Sequence, residues 1–150
     1  MPKIFTALAI AVLGAGTVVA SQETDVMAPV HQFVDGFNKS DVRTAQSACT
    51  DRSIVIDDFP PHAWAGAGAT AKWLHDYDSY AKRNGITDGF VTLGKPRHID
   101  VTGNDAYVVV PTKFSLMKKG ELVKETGLMT LVLHKGVGGW RIAAWSWADN

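Results

Sequence analysis

The chain reads as a single α+β domain in which three N-terminal helices pack on a strongly curved antiparallel sheet of five to six strands. Three observations predict this. Apolar residues recur with a helical period in the first half, β-branched runs separated by hairpin dipeptides fill the second, and 150 residues suit one ordinary domain. With 46% apolar and 20% charged residues the chain can bury a real core, which excludes disordered and low-complexity readings.

The first twenty residues stand apart. Lys3 is the only early charge, an apolar run from Ile4 to Leu13 follows, and small residues lead to Val18-Val19-Ala20 before polar Ser21-Gln22-Glu23. That order is expected of an export signal cleaved after Ala20, and the apolar run is well short of the roughly 20 residues that a membrane span needs. No cysteine follows it to carry a lipid anchor. The expected mature domain, residues 21–150, has 14 basic against 15 acidic residues once Lys3 is lost. Its expected location is periplasmic or secreted, with no membrane contact after cleavage.

Val26, Met27, Val30, Phe33, Val34 and Phe37 form one helical stripe, which places a first helix from about Asp25 to Asn38, with Pro29 near its start. Ser40-Asp41 offers a new cap for a short second helix from Val42 to Cys49. Ser53 to Asp57 reads as a strand that stops at Phe59-Pro60-Pro61, and a loop carrying Trp64, Gly66 and Gly68 leads to a third helix. Ala69, Trp73, Leu74, Tyr77, Tyr80 and Ala81 keep its period until Asn84-Gly85. Four antiparallel strands complete the chain, at about Phe90–Val101, Ala106–Met117, Leu122–His134 and Trp140–Trp147, separated by Gly103-Asn104, Lys119-Gly120 and Gly136 to Gly139. Segregated helices and hairpins argue for α+β architecture with antiparallel strands.

Several function classes are excluded. Basic residues are scattered and balanced by acidic ones, so no nucleic-acid surface is expected. A lone Cys49 forms no internal disulfide and has no histidine at helical spacing to activate it. The five histidines lack zinc spacing, although His98 and Asp100 fall on one strand face. Gly66-Ala67-Gly68 lacks the Lys-Ser/Thr of a phosphate loop and serves as a helix entry. No metal or cofactor is expected.

The segment Val30 to Asp41, an apolar helix ending in Asn38-Lys39-Ser40-Asp41, resembles the first helix and turn of the SnoaL-like, nuclear-transport-factor-2-like superfamily. The resemblance continues through the short second helix, the strand ending at Asp57-Asp58, the Trp64-x-Gly66 segment, the third helix and Gly139-Trp140-Arg141-Ile142. It implies a curved sheet wrapped around helices, a cone whose open end holds a small apolar or aromatic molecule, and a homodimer. Fold alone does not choose among the isomerases, cyclases, dehydratases and binding proteins of that superfamily.

The resemblance to its steroid isomerases places Asp57 where those enzymes keep a proton-shuttling carboxylate, Phe33 where they have a tyrosine donor, and Thr130 where they have a protonated acid. A phenyl ring donates no hydrogen bond to an oxyanion, so steroid-type enolisation is not expected. From the residues alone, Asp57 is either a partly desolvated carboxylate facing a pocket or a solvated residue leading into the Pro60-Pro61 turn. Trp73, Phe33, Phe114 and Thr130 are expected to line the cone, and Trp64 its mouth. Alternation along the last strand puts Trp140, Ile142, Ala144 and Ser146 on one face and Arg141, Ala143, Trp145 and Trp147 on the other. In that register Ala144 and Ser146 replace the polar groups that relatives place in the pocket. Trp145 and Trp147 lie outside as a dimer interface, unless a bulge turns one of them inward. Two functions stay open: binding of a small apolar or aromatic molecule, or acid–base catalysis of the isomerase, lyase or hydrolase kind with Asp57 as proton shuttle and Tyr77 or His62 as helper.

Overall fold

A computed structural model describes residues 15–150, with side chains from Ser21 onward. Most of the expected export signal therefore lies outside the described residues. Three helices, α1 (Ala15–Asn38), α2 (Val42–Ser47) and α3 (Ala69–Asn84), pack against a seven-stranded sheet. The strands are β1 (Cys49–Ile56), β2 (Ala63–Ala67), β3 (Ile86–Leu93), β4 (His98–Thr102), β5 (Asp105–Lys118), β6 (Glu121–Gly136) and β7 (Gly139–Asp149). The α+β reading holds, with more strands than the sequence suggested.

Helix α1 begins earlier than its stripe requires, so Pro29 is interior rather than near the start. Val26 and Val30 are fully buried on either side of it, and that burial holds the helix across the missing N–H. Asn38 ends α1 by clamping β3: its Oδ1 accepts from Val91 N at 2.7 Å and its Nδ2 donates to Val91 O at 2.8 Å. Asp41 caps α2, accepting from Thr44 N at 3.1 Å and Thr44 Oγ1 at 2.7 Å. Those bonds hold its carboxyl below the usual range. Gly36 lets the two helices meet, since a Cβ there would collide with the backbone of Ala45.

Three expectations about strands are corrected. The segment with Trp64 is a strand, β2, paired antiparallel with β1, and its Ala/Gly-rich sequence carries no strand propensity of its own. The run Phe90–Val101 is two strands: β3 pairs with the second half of β5 and β4 with the first, because Gly94 and Pro96 interrupt the ladder between them. The sheet is also not wholly antiparallel, since β1 runs parallel to β7. Hairpins force neighbours in sequence to alternate in direction, and β1 and β7 are joined by no hairpin.

The fully buried centre is Val55 of β1, Val108 and Val110 of β5, Leu131 and Leu133 of β6 and Ile142 of β7, packed on Val26 and Val30. Between β6 and β7, Leu133 pairs with Ile142 and Val132 with Ala144, leaving Ala143 without a partner. This bulge reverses the alternation of β7. Trp140 and Ile142 point inward before it and Trp145 points inward after it, while Ala144 and Ser146 turn outward. The expected dimer interface at Trp145 and Trp147 is therefore corrected: both rings lie on the inner side of the cone.

Candidate functional site

The open end of the cone is a cavity of about 140 Å³. A void of roughly that size, lined by apolar side chains, can hold one benzene ring. Helix α1 supplies Phe33 and Phe37 to its wall, α3 supplies Trp73, Tyr77 and Tyr80, and the β1–β2 turn supplies Asp57, Asp58 and Phe59. The sheet closes it with Phe114, Glu125, Met129, Trp145 and Trp147 among others, and Lys118 reaches the lining from the end of β5.

The rings support one another. Trp73 and Trp145 stand perpendicular with centroids 4.8 Å apart, Phe33 lies 5.3 Å from Trp145, and Phe37 lies 5.1 Å from Tyr77. Edge-on and tilted pairs at these separations are favourable beyond their buried area. Trp147 Nε1 donates to Thr112 Oγ1 at 2.8 Å, whereas the buried Trp145 Nε1 has no hydrogen-bond partner among the described residues.

Asp57 is the polar centre of this wall. Ser53 and Val55 are buried while Ile54 and Ile56 are exposed, so strand alternation carries Asp57 to the inner side. Its Oδ2 accepts from Trp73 Nε1 at 2.8 Å and its Oδ1 from Asp58 N at 2.9 Å. Burial pushes its pKa up to about 6, against the pull of those two bonds and with a small added push from the Asp58 charge. Burial also pushes Tyr77 up to about 12, aided by the charges of Asp57 and Glu125. Glu125 is raised by burial and by Asp58 and Asp149, opposed by Lys118.

The structure brings Asp57, Tyr77, Phe33, Trp73 and Phe114 together, and three other expected site residues fall elsewhere. His62 is exposed, with its ring Nδ1 3.2 Å from the backbone oxygen of Asp57, and it does not line the cavity. Trp64 is buried behind Phe59 on β2, where its Nε1 donates to Asp76 at 2.8 Å, so it forms no mouth. Thr130 lies on the outer face between Val109 and Ser146, and Met129 takes the inner place. Glu125 was missed, although it shares strand parity with the apolar Met129, Leu131 and Leu133. Phe59 was missed as a lining residue because the proline turn hid the fold-back that brings it to 5.1 Å from Tyr80.

Elsewhere, burial pushes the Cys49 thiol up to about 11, which makes it a poor nucleophile. No cluster of three His, Cys, Asp or Glu side chains suited to a metal is present among the described residues. Gly89 sits against the wall, where a Cβ would be 2.9 Å from the Tyr77 hydroxyl and 3.2 Å from the Phe114 ring. Gly89→Ala should cost about 1 kcal/mol in urea denaturation, and less in a Tyr77→Phe background, because the obstructing atom is the removable hydroxyl. Equal losses in the two backgrounds would count against this contact.

No protein-family model matches the sequence, and neither does any curated protein. Solved structures do match by shape. An NTF2-like superfamily protein from Salmonella enterica superposes with a TM-score of 0.70 at 18% identity, over 89% of this chain and 93% of that one. The fold is NTF2-like. An NTF2-like protein with a cystatin-like fold from Novosphingobium aromaticivorans gives 0.71 at 11% identity, over 89% of this chain and 84% of that one. A ketosteroid isomerase-like protein from Erwinia carotovora gives 0.66 at 16% identity, over 84% of this chain and 94% of that one. In this NTF2-like fold the cone is walled largely by aromatic rings, with the carboxylates of Asp57, Asp58 and Glu125 among its lining.

Proposed function

We propose that this NTF2-like domain binds a small molecule, about one ring in size and apolar over most of its surface, with Asp57 as the group that orients it. The observation that carries this reading is the Asp57 carboxylate held inside a ring-lined cavity by Trp73 Nε1 and Asp58 N. Ring faces supply contact area, and a fixed acceptor selects ligands that present a donor to it.

Acid–base catalysis is the second reading, favoured by one observation: a carboxylate with a pKa of about 6 is mostly ionised at neutral pH yet close enough to it to both take and return a proton. The likeness to a ketosteroid isomerase-like protein agrees with it at the level of fold. Against it stand the position of His62 outside the cavity and a Tyr77 hydroxyl that is reluctant to ionise. Titrating single-ring alcohols, amines and ketones by tryptophan fluorescence, with product detection on the same samples, separates the readings. Binding without turnover, weakened by about 1–3 kcal/mol in Phe114→Ala, is the expected result. Product formed by the wild type and lost in Asp57→Asn would replace it with the enzymatic reading, and an unchanged affinity in Phe114→Ala would remove the cavity assignment.

A further inference from the structure

We propose that the molecule held in the cone is a small organic cation, a single-ring amine or quaternary ammonium, whose charge sits between the aromatic faces and the carboxylates of Asp57, Asp58 and Glu125. The inference rests on the reading of the cone as a binding site and narrows its ligand.

Two independent features of the cavity converge on positive charge. The first is the wall itself. Phe37, Trp73, Tyr77, Phe114 and Trp147 come from α1, α3 and the sheet, and aromatic faces carry the negative part of the ring quadrupole, which attracts ammonium groups. Apolar packing alone would be served equally by Leu or Ile, and such side chains are a minority of the lining.

The second feature is the charge of the lining, three carboxylates against the single ammonium of Lys118. They arrive from separate elements: Asp57 and Asp58 from the end of β1, Glu125 from β6 and Lys118 from β5. Their fields overlap, because Asp57 and Glu125 both disfavour ionisation of Tyr77, and Asp58 disfavours that of Glu125. A neutral ligand leaves this repulsion in place and an anion adds to it, whereas a cation relieves it while gaining the ring faces. An ionised Asp57 in the lining can accept an N–H from a ring ammonium, and a quaternary ammonium is held by field and ring faces alone.

The test uses three probes of nearly equal size on the intact chain at pH 7.5: benzylammonium, benzyl alcohol and benzoate. Affinities are read by calorimetry and tryptophan fluorescence. Benzylammonium should bind at least tenfold more tightly than benzyl alcohol, and benzoate most weakly. Asp57→Asn and Glu125→Gln should each shrink the benzylammonium-to-benzyl-alcohol ratio, and because they lie on different strands, a folding failure in one leaves the other informative. Equal affinities, or a preference for the alcohol, would overturn the cation while leaving the cone as a binding site. A tenfold ratio untouched by either variant would also overturn it, and no binding by any probe would remove both readings.

Discussion

Gly127→Ala is expected to destabilise the domain by about 3 kcal/mol, near the upper end of what overpacking costs. Gly127 lies in β6 between Thr112 of β5 and Asp149 of β7, so neither flanking strand can move aside without breaking ladder bonds. A Cβ would stand 2.5 Å from the carbonyl oxygen of Ala148 and 2.6 Å from the Trp147 ring. The ring has limited freedom to retreat, because its Nε1 is bonded to Thr112, and the carbonyl has none. Urea denaturation of Gly127→Ala measures the loss. Adding Trp147→Leu should recover part of it and not all, since only the ring clash is relieved. A loss below about 1 kcal/mol would mean that β6 and β7 separate more easily than their pairing indicates.

The second large effect is a pH dependence. Asp57 has a pKa of about 6 in the folded chain and an ordinary carboxylate value, about 3.9, when unfolded. Between those values the folded state binds more protons than the unfolded one, so stability falls as pH rises. The contribution of neutral Asp57 is fully present below about pH 4, is lost progressively through about pH 6 and is flat beyond, a change of about 3 kcal/mol. Asp41 and Asp76, both lowered, work in the opposite direction. The clean measurement is therefore the stability difference between wild type and Asp57→Asn at pH 4 and pH 8. Asparagine lacks the second acceptor, so either Trp73 Nε1 or Asp58 N loses its partner at a cost of about 1 kcal/mol at both pH values. Relative to wild type, the variant should gain about 3 kcal/mol between pH 4 and pH 8. A difference independent of pH would show that Asp57 is solvated.

Much of this was written in local chemistry. The stripe on α1, the Asn38–Asp41 turn, the Gly85 stop and three of the hairpins are decided by residues close in sequence, and all were legible. Asp57 was legible as a candidate, although its direction was not, because Asp-Asp before Pro-Pro suits a solvated turn equally well. What escaped was decided at a distance. Strand β2 exists because β1 offers it an edge and Trp64 a place against Phe59. The parallel β1–β7 pair joins segments that no turn connects. The inward turn of Trp145 and Trp147 depends on one unpaired residue, Ala143, in a run where uninterrupted alternation reads equally well. Thr130 and Met129 were exchanged by the same one-residue ambiguity of strand register.

The face that β7 shows the cone is set by the length of the strand as much as by its side chains. Loss of the codon for Ala143 would make the alternation regular and leave both indoles in the cavity, whereas gain of one codon between Ala144 and Trp145 would withdraw them and present the new residue and Ser146 in their place, with Trp140 and Ile142 still in the core. Ligand preference in such a scaffold can thus change through length as well as substitution, in one genetic step, and two cones with nearly identical sequences can differ completely in what they line.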